Sequence, residues 1–519
     1  MLVSDTDLFQ RMVRSTPGGE LGRDLDANVD RINRLLGYGE SYDVILRRFR
    51  VAGVEIAAYV INGFFDSLVN LDMLRQLSAA EAEILGAQSG RPPEERAAPG
   101  NRTRMLRALL SDKLAYSQVT VVHDFEGAVR ELLSGPMIIL VDGETGVIVV
   151  DTRIYPDRNP SAPDIEHLLR GPQDGFVENI IINTALVRRR VRDPGLRFRM
   201  VQVGKRSHTD VAVTYIEGLT QPDLVREVER RLGAMDVDGI PMTEQVLAEL
   251  LTGQSWNPFP TVRMTERPDV AAVNLLEGHV LVQPDTTPVA LILPVSLFQL
   301  LQHPEDYHVA PALGTYLRLM EWYAVIWAML VPPLWLLVAT HPGIRAQIPW
   351  LSFLGPKKPS ALPLPLQFLL AELSIDVLRR AILNSATALA TTFGILGAVI
   401  VGDVATKAGL FTPETLMYLV GAAIASFAIS NLELGMALRL ARITLIVLEW
   451  LLALPGIVLG LLFWFLLAAR TDSLGKSYLW PLVPFDWVAL RSVLVRLPVQ
   501  SGVPRPRQVH PLDRWRRAH

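Results

Sequence analysis

Residues 137–151 read MIILVDGETGVIVVD, and residues 280–294 read VLVQPDTTPVALILP. In each, two runs of aliphatic and β-branched residues flank a short polar turn, which is the pattern of a β-hairpin. A second pattern recurs upstream. Residues 54–77 (VEIAAYVINGFFDSLVNLDMLRQL) and 210–232 (DVAVTYIEGLTQPDLVREVERRL) both read as a strand, a glycine (Gly63 or Gly218), and a helix opening on Leu-Val. The same order of pieces met twice predicts two related subdomains, and strands interspersed with helical patterns predict α/β or α+β packing. Between the first strand–helix unit and its hairpin, residues 87–104 (AQSGRPPEERAAPGNRTR) have the composition of a disordered loop.

The totals narrow the function. A chain of 519 residues exceeds one ordinary core, so several domains are expected. With 50 Lys+Arg against 53 Asp+Glu the net charge is -3, which argues against a dedicated nucleic-acid binder. There is no cysteine, which removes disulfides, thiolate metal sites and cysteine nucleophiles. The opening MLVSDTDLFQRM carries acids at once and no apolar core, so it is not read as a signal peptide. The motif of a phosphate loop is missing around GKS at 475–477, because Arg470 stands where a glycine is needed. HPEDYH at 303–308 places two imidazoles and two carboxylates in six residues, and we read it as a polar junction rather than a metal site. No cofactor, metal or catalytic residue is expected, and the chain is not expected to be an enzyme.

Mean hydropathy is +0.27 although 20% of residues are charged, which implies a polar part joined to an apolar part. Four apolar runs after residue 310 come near the ~20 residues that one bilayer crossing takes. They are 316–340, 385–402, 414–430 and 443–468, the last broken by Pro455-Gly456. A fifth stretch, 362–378, carries Glu372 and Asp376 and reads as an amphipathic or re-entrant helix. After Phe485 seven arginines face two aspartates, so the positive-inside rule keeps both termini cytoplasmic across about four crossings. The expected division is a helical or flexible lead (1–42), one subdomain (43–155), a second (164–310), a transmembrane domain (311–470) and a basic tail (471–519).

Ionisable residues within such runs mark pathways or buried pairs. Glu321, Asp403 and Glu449 are the candidates; Arg318 at i−3 could partner Glu321, and Arg442 could partner Glu449. Asn384, Thr387, Thr391, Gly394 and Ala398 recur at three- and four-residue steps, giving a small, partly polar face that could line a pore or pack closely. A different charge cluster closes the helix expected from Asp174 to the stop at Asp193-Pro194-Gly195. Arg188, Arg189, Arg190 and Arg192 fall in its last turns, where the helix dipole favours cations. Residues there step by about 100°, so they form no flat phosphate patch. They are placed instead at a subunit or subdomain interface, facing acidic loops such as Asp142/Glu144 or Glu266/Asp269.

Residues 170–196 (RGPQDGFVENIIINTALVRRRVRDPGL) resemble the strongest sequence block of the GerA-type spore germination proteins, A-subunit class. The likeness continues through VGKRSHTDVAVTYIEG, ERPDVAAVNLLEGHVLVQPDTTPVALILPVSLF and PEDYH, and departs from the family pattern at Asn384-Ser385-Ala386 and at Ser477. The resemblance implies a multi-pass protein of the spore inner membrane, with two subdomains on the cytosolic side. It implies a homo-oligomer that conducts ions or small molecules during germination, working with other germination membrane proteins. The alternative is a non-conducting membrane scaffold that organises germination receptors. No nucleic acid is expected as a partner.

Overall fold

The protein is described from a computed structural model. It describes residues 19–51, 53–64, 75, 119–153, 171–240, 243–253, 256–343, 354–357, 360–383, 405–498, 505–513 and 515. The chain divides into two compact units: unit 1 is Met1–Gln254, Val262–Pro294 and Gly502–His519, and unit 2 is Ser255–Thr261 and Val295–Ser501. The loop expected at 87–104 lies outside the described residues.

Unit 1 holds two five-stranded antiparallel sheets. The first is built from β1 (Val44–Val51), β2 (Val54–Ile61), β3 (Val119–Val122), β4 (Met137–Val141) and β5 (Val147–Val150), in the order β1-β2-β4-β5-β3. The second is built from β6 (Leu196–Val203), β7 (Thr209–Ile216), β8 (Arg263–Thr265), β9 (Val280–Pro284) and β10 (Ala290–Leu293), in the order β6-β7-β9-β10-β8. The two orders coincide when five is added to each strand number, so the duplication seen in the sequence is real. Both expected hairpins form: Leu140 pairs with Val147 across the Asp142-Gly143 turn, and Val282 pairs with Leu291.

Each sheet carries helices at matching points in the chain. In the first subdomain α1 (Leu25–Leu36) precedes β1 and α2 (Phe125–Ser134) precedes β4. Asp24 and Asp124 cap these two helices by accepting backbone N–H groups of the first turn, and Gly37 ends α1 at φ 65°. In the second subdomain α3 (Ile180–Arg190) precedes β6 and α6 (Pro268–Glu277) precedes β9, with α4 (Pro222–Gly233) and α5 (Thr243–Thr252) between β7 and β8. The two-residue period of a strand sorts the cores. Ala57, Tyr59 and Ile61 of β2 pack with Leu25, Ile32 and Leu132 of the helices. Their neighbours Ile56, Ala58 and Val60 join Ile139, Val141 and Ile148 on the opposite face. The helix carrying the arginines starts at Ile180 and not near Asp174, because Asn179 takes the capping position and accepts from the N–H groups of Ile181 and Ile182.

Unit 2 is helical, and here the structure corrects the sequence reading. Its described helices of eight residues or more are α7 (Pro311–Met329), α8 (Val331–Thr340), α9 (Leu364–Leu383), α10 (Pro413–Phe427), α11 (Leu432–Leu452), α12 (Leu454–Arg470) and α13 (Trp487–Leu494). Among the described residues no single helix is long and apolar enough to cross a membrane; α7 and α8 reach that mark together, but are bent by 44° at Leu330. The fourth apolar run is not one helix. Ala453 takes φ 57° and reverses the chain, so that α12 folds back on α11. A methyl built on Gly460 would lie 2.6 Å from the Leu445 side chain, which shows how closely the two helices approach. In α9 and α11 the run is diluted by Glu372, Asp376, Arg439, Arg442 and Glu449. The expected bundle of about four crossings is therefore not found among the described residues. The ion-channel and membrane-scaffold readings, the membrane as a partner and the multi-pass spore-inner-membrane localisation all require such a bundle, and the structure does not bear them out. The 385–402 run lies outside the described residues.

The helical hairpin predicts a sharp response to one methyl group. A Cβ on Gly456 would sit 2.0 Å from the Leu448 carbonyl oxygen, which belongs to backbone and cannot swing aside. Gly456→Ala is expected to destabilise unit 2 by about 1–3 kcal/mol. Gly343→Ala, at a position with nothing within 4 Å of the new methyl, is the control that leaves the unit unchanged. Thermal unfolding of the full-length variants checks the contrast, and equal midpoints would remove the close-packed hairpin.

Candidate functional site

The arginine run of α3 separates into inward and outward members. Arg188 is 1% exposed and lies where the two subdomains of unit 1 meet. Its guanidinium pairs with Asp43 at 2.8 Å and donates to the carbonyls of Asp193 (3.1 Å) and Leu196 (3.0 Å). Asp43 precedes β1 and also accepts from the Ser41 hydroxyl at 2.6 Å, while Ser41 Oγ accepts from the Phe198 amide at 3.1 Å. Every group in this chain is satisfied from both subdomains. Tyr42 contributes a hydrogen bond between its phenol and Thr184 Oγ1, and burial pushes that phenol well above the usual tyrosine range.

A second arginine, Arg197 on β6, repeats the arrangement from the other side. It is 1% exposed and donates to the Leu35 carbonyl at the end of α1 (3.0 Å) and to the Pro194 carbonyl (2.6 Å). Gly37 passes so close that a methyl there would lie 2.4 Å from Arg197 Nε. Gly63, at φ 84°, likewise leaves room for Ala185 of α3. Of the remaining candidates Arg190 is held by Asp174, both carboxylate oxygens at 2.6 Å. Arg189 and Arg192 are exposed. Of the acidic residues expected to face the arginines, Asp269 is paired with Arg267 at 2.9 Å.

In unit 2 the ionisable candidates are placed by hydrogen bonds. Glu321 accepts from the backbone N–H of Ser430 at 2.8 Å and from its hydroxyl. Arg318 pairs with Asp306 of the HPEDYH segment at 3.2 Å. Glu449 accepts from Thr340 Oγ1 at 3.0 Å and lies 3.9 Å from His341 Nδ1. Arg442 is engaged by Glu372 at 2.5 Å. Asp403 and the pore-lining candidates Asn384, Thr387, Thr391, Gly394 and Ala398 lie outside the described residues. Among the described residues no group of three or more His, Cys, Asp or Glu is placed to hold a metal.

Sequence reasoning missed a buried charge cluster of unit 2. Glu372 (α9) accepts from Arg442 Nε at 2.5 Å and from Arg439 Nε at 2.9 Å, both on α11. Arg439 also meets Asp376 at 2.6 Å, and Arg442 donates to the Ala328 carbonyl of α7. The signal was present, since Glu372 and Asp376 stand one turn apart in an apolar run and need cations.

Comparison with known proteins gives this architecture its place. The model of the Bacillus/Clostridium GerA spore germination protein family matches residues 30–508. The chain belongs to the GerA family. A GerA relative, the stage V sporulation protein AF of Bacillus subtilis (strain 168), is 39% identical over 489 residues, covering 94% of this chain and 96% of that protein. Residues 401–428 and 477–487 already resemble that branch. The spore germination protein KA of the same organism is 26% identical over 92% of this chain and 86% of its own length. The crystal structure of the N-terminal domain of the A subunit of the Bacillus megaterium spore germinant receptor GerK3 is 27% identical, with a TM-score of 0.40 over 53% of this chain and 97% of that one. The relatives are germination and sporulation proteins by name.

Proposed function

We propose that this chain acts in spore germination as a non-enzymatic assembly subunit, whose paired α/β body presents a surface to other germination proteins. The observation that carries the reading is the likeness to a stage V sporulation protein over 94% of the chain. The ion pair between Arg188 and Asp43 supports it, since it fixes the two subdomains as one body and frees the end of α3 for outward contacts. Arg189 and Arg192 stand exposed there and are the residues we assign to partner contact. Exposed charges of this kind set association rates and choice of partner more than fold stability.

Deletion of the gene in its own spore-forming host is expected to slow germination at least twofold, read as the fall in optical density of purified spores. The wild-type gene restores the rate. A double variant, Arg189→Glu with Arg192→Glu, accumulates to the normal level and fails to restore it. Deletion spores that germinate at the parental rate would overturn the function, and full rescue by the double variant would overturn the assigned surface.

A further inference from the structure

The two sheets of unit 1 repeat each other pair by pair, so each serves as a control for the other. In the first, Ala57 faces Leu140 and Tyr59 faces Ile138 across β2 and β4. In the second, Ala212 faces Gln283 and Thr214 faces Leu281 across β7 and β9. The two ladders align over four pairs, so Gln283 stands where the first sheet has Leu140, and Thr214 where it has Tyr59. None of these four side chains is more than 2% exposed. Gln283 and Thr214 lie on the helix-covered face of their sheet. Leu281 and Ile216, two residues away on the same side of each strand, pack with Leu186 and Val187 of α3 and with Ala271 and Leu275 of α6.

The exchange of residues changes the chemistry of the core. In the first sheet Leu140 has no polar atom to satisfy, and the Tyr59 hydroxyl donates to Asn33 Oδ1 at 2.8 Å. In the second sheet neither the amide nitrogen nor the amide oxygen of Gln283 has a hydrogen-bond partner among the described residues, and the Thr214 hydroxyl has none either. A glutamine amide brings two donors and a two-lone-pair acceptor, so the unmet groups are several and adjacent. Protein interiors complete such groups with ordered water where side chains do not. We propose that Gln283 and Thr214 hold ordered water between the second sheet and the helices α3 and α6.

Position and size both fit water. Gln283 and Thr214 are diagonal neighbours across β7 and β9, a placement that sets two residues roughly 7–8 Å apart. A long amide and a short hydroxyl at that spacing can share one bridging molecule through two ordinary hydrogen bonds. The room comes from two replacements. Threonine takes the place of tyrosine at Thr214, and Ala290, one step beyond the Leu291–Val282 pair, takes the place of Val147, which faces Leu140 in the first sheet. Phe198, which faces Thr214 as Leu46 faces Tyr59, fills part of that space again, so what is left suits water and not a larger ligand. The occupant is neutral, since the unmet groups are an amide and a hydroxyl and carry no charge.

Oxygen-17 magnetic relaxation dispersion on the full-length protein tests the assignment, because it counts water molecules held longer than the protein takes to tumble. The count is expected to fall by about one or two in the double variant Thr214→Val with Gln283→Leu, which takes the leucine of the first sheet at one of the two positions. Thr214→Ser keeps the hydroxyl and should keep the wild-type count. Thermal unfolding gives a second reading. A shared water couples the two residues, so Thr214→Val alone and Gln283→Leu alone should each lower the midpoint, while the double variant unfolds at or above the wild-type midpoint. Two dry, independent orphans would behave in the opposite way, each single replacement raising the midpoint and the two gains adding. An unchanged water count in the double variant, or additive gains from the single variants, would overturn the proposal.

Discussion

Replacing Arg188 by alanine is expected to lower the stability of unit 1 by about 3–5 kcal/mol, because it leaves a buried carboxylate without its cation. Asp43 is 2% exposed, and besides Arg188 its carboxylate accepts from the Ser41 hydroxyl, which carries no charge. The loss extends further, because Arg188 also satisfies the carbonyls of Asp193 and Leu196 at the turn that leads into β6. Lysine at position 188 should not rescue it, since one ammonium cannot reproduce a planar fork that serves three acceptors. Asp43→Ala should cost a similar amount, and the double variant less than the sum of the two. Arg189→Ala on the exposed side of the same helix should stay within about 0.5 kcal/mol. Urea unfolding of the full-length protein, followed by hydrogen exchange of the β6 and β7 amides, reads the affected unit. Equal losses at positions 188 and 189 would show that the pair does not hold the subdomains together.

The contrast between neighbouring arginines also shows where sequence reading stops. Four arginines in five residues look alike as letters. A helix turns them in different directions, so that Arg188 points between the subdomains while Arg189 stays exposed. Its partner Asp43 lies 145 residues away, a separation that no local period encodes. Hairpins and strand alternation were legible because their signals are local: β-branched runs, turn residues and a period of two. The helical unit misled for the complementary reason. Counting apolar residues measures the length of a run but not its direction, and the chain breaks at Leu330 and reverses at Ala453. Pro455-Gly456 had marked the second break, yet a proline near the start of a new helix and a kink within an old one read alike.

The largest effect in unit 2 is expected at Glu372. This carboxylate is 2% exposed and receives Arg439 and Arg442 from α11. Arg442, 1% exposed, reaches on to the Ala328 carbonyl, so one charge cluster ties α7, α9 and α11 together. Glu372→Ala strands Arg442 without an anion and should cost about 3–5 kcal/mol. Glu372→Gln keeps an acceptor and loses only the charge, so about 1–3 kcal/mol is expected. Asp376→Ala removes a half-exposed partner of Arg439 and should cost no more than ~1 kcal/mol. The order of the three, read from thermal unfolding of the full-length protein, is the test, and a Glu372→Ala midpoint equal to that of Asp376→Ala would sink it. Replacing both partners, Glu372→Leu with Arg442→Met, removes the desolvation penalty together with the attraction. That double variant should recover most of the stability lost by Glu372→Ala, since well-packed apolar pairs often match a buried ion pair. Recovery of stability without recovery of germination would assign the cluster to holding one particular arrangement of α7, α9 and α11, and not to stability alone.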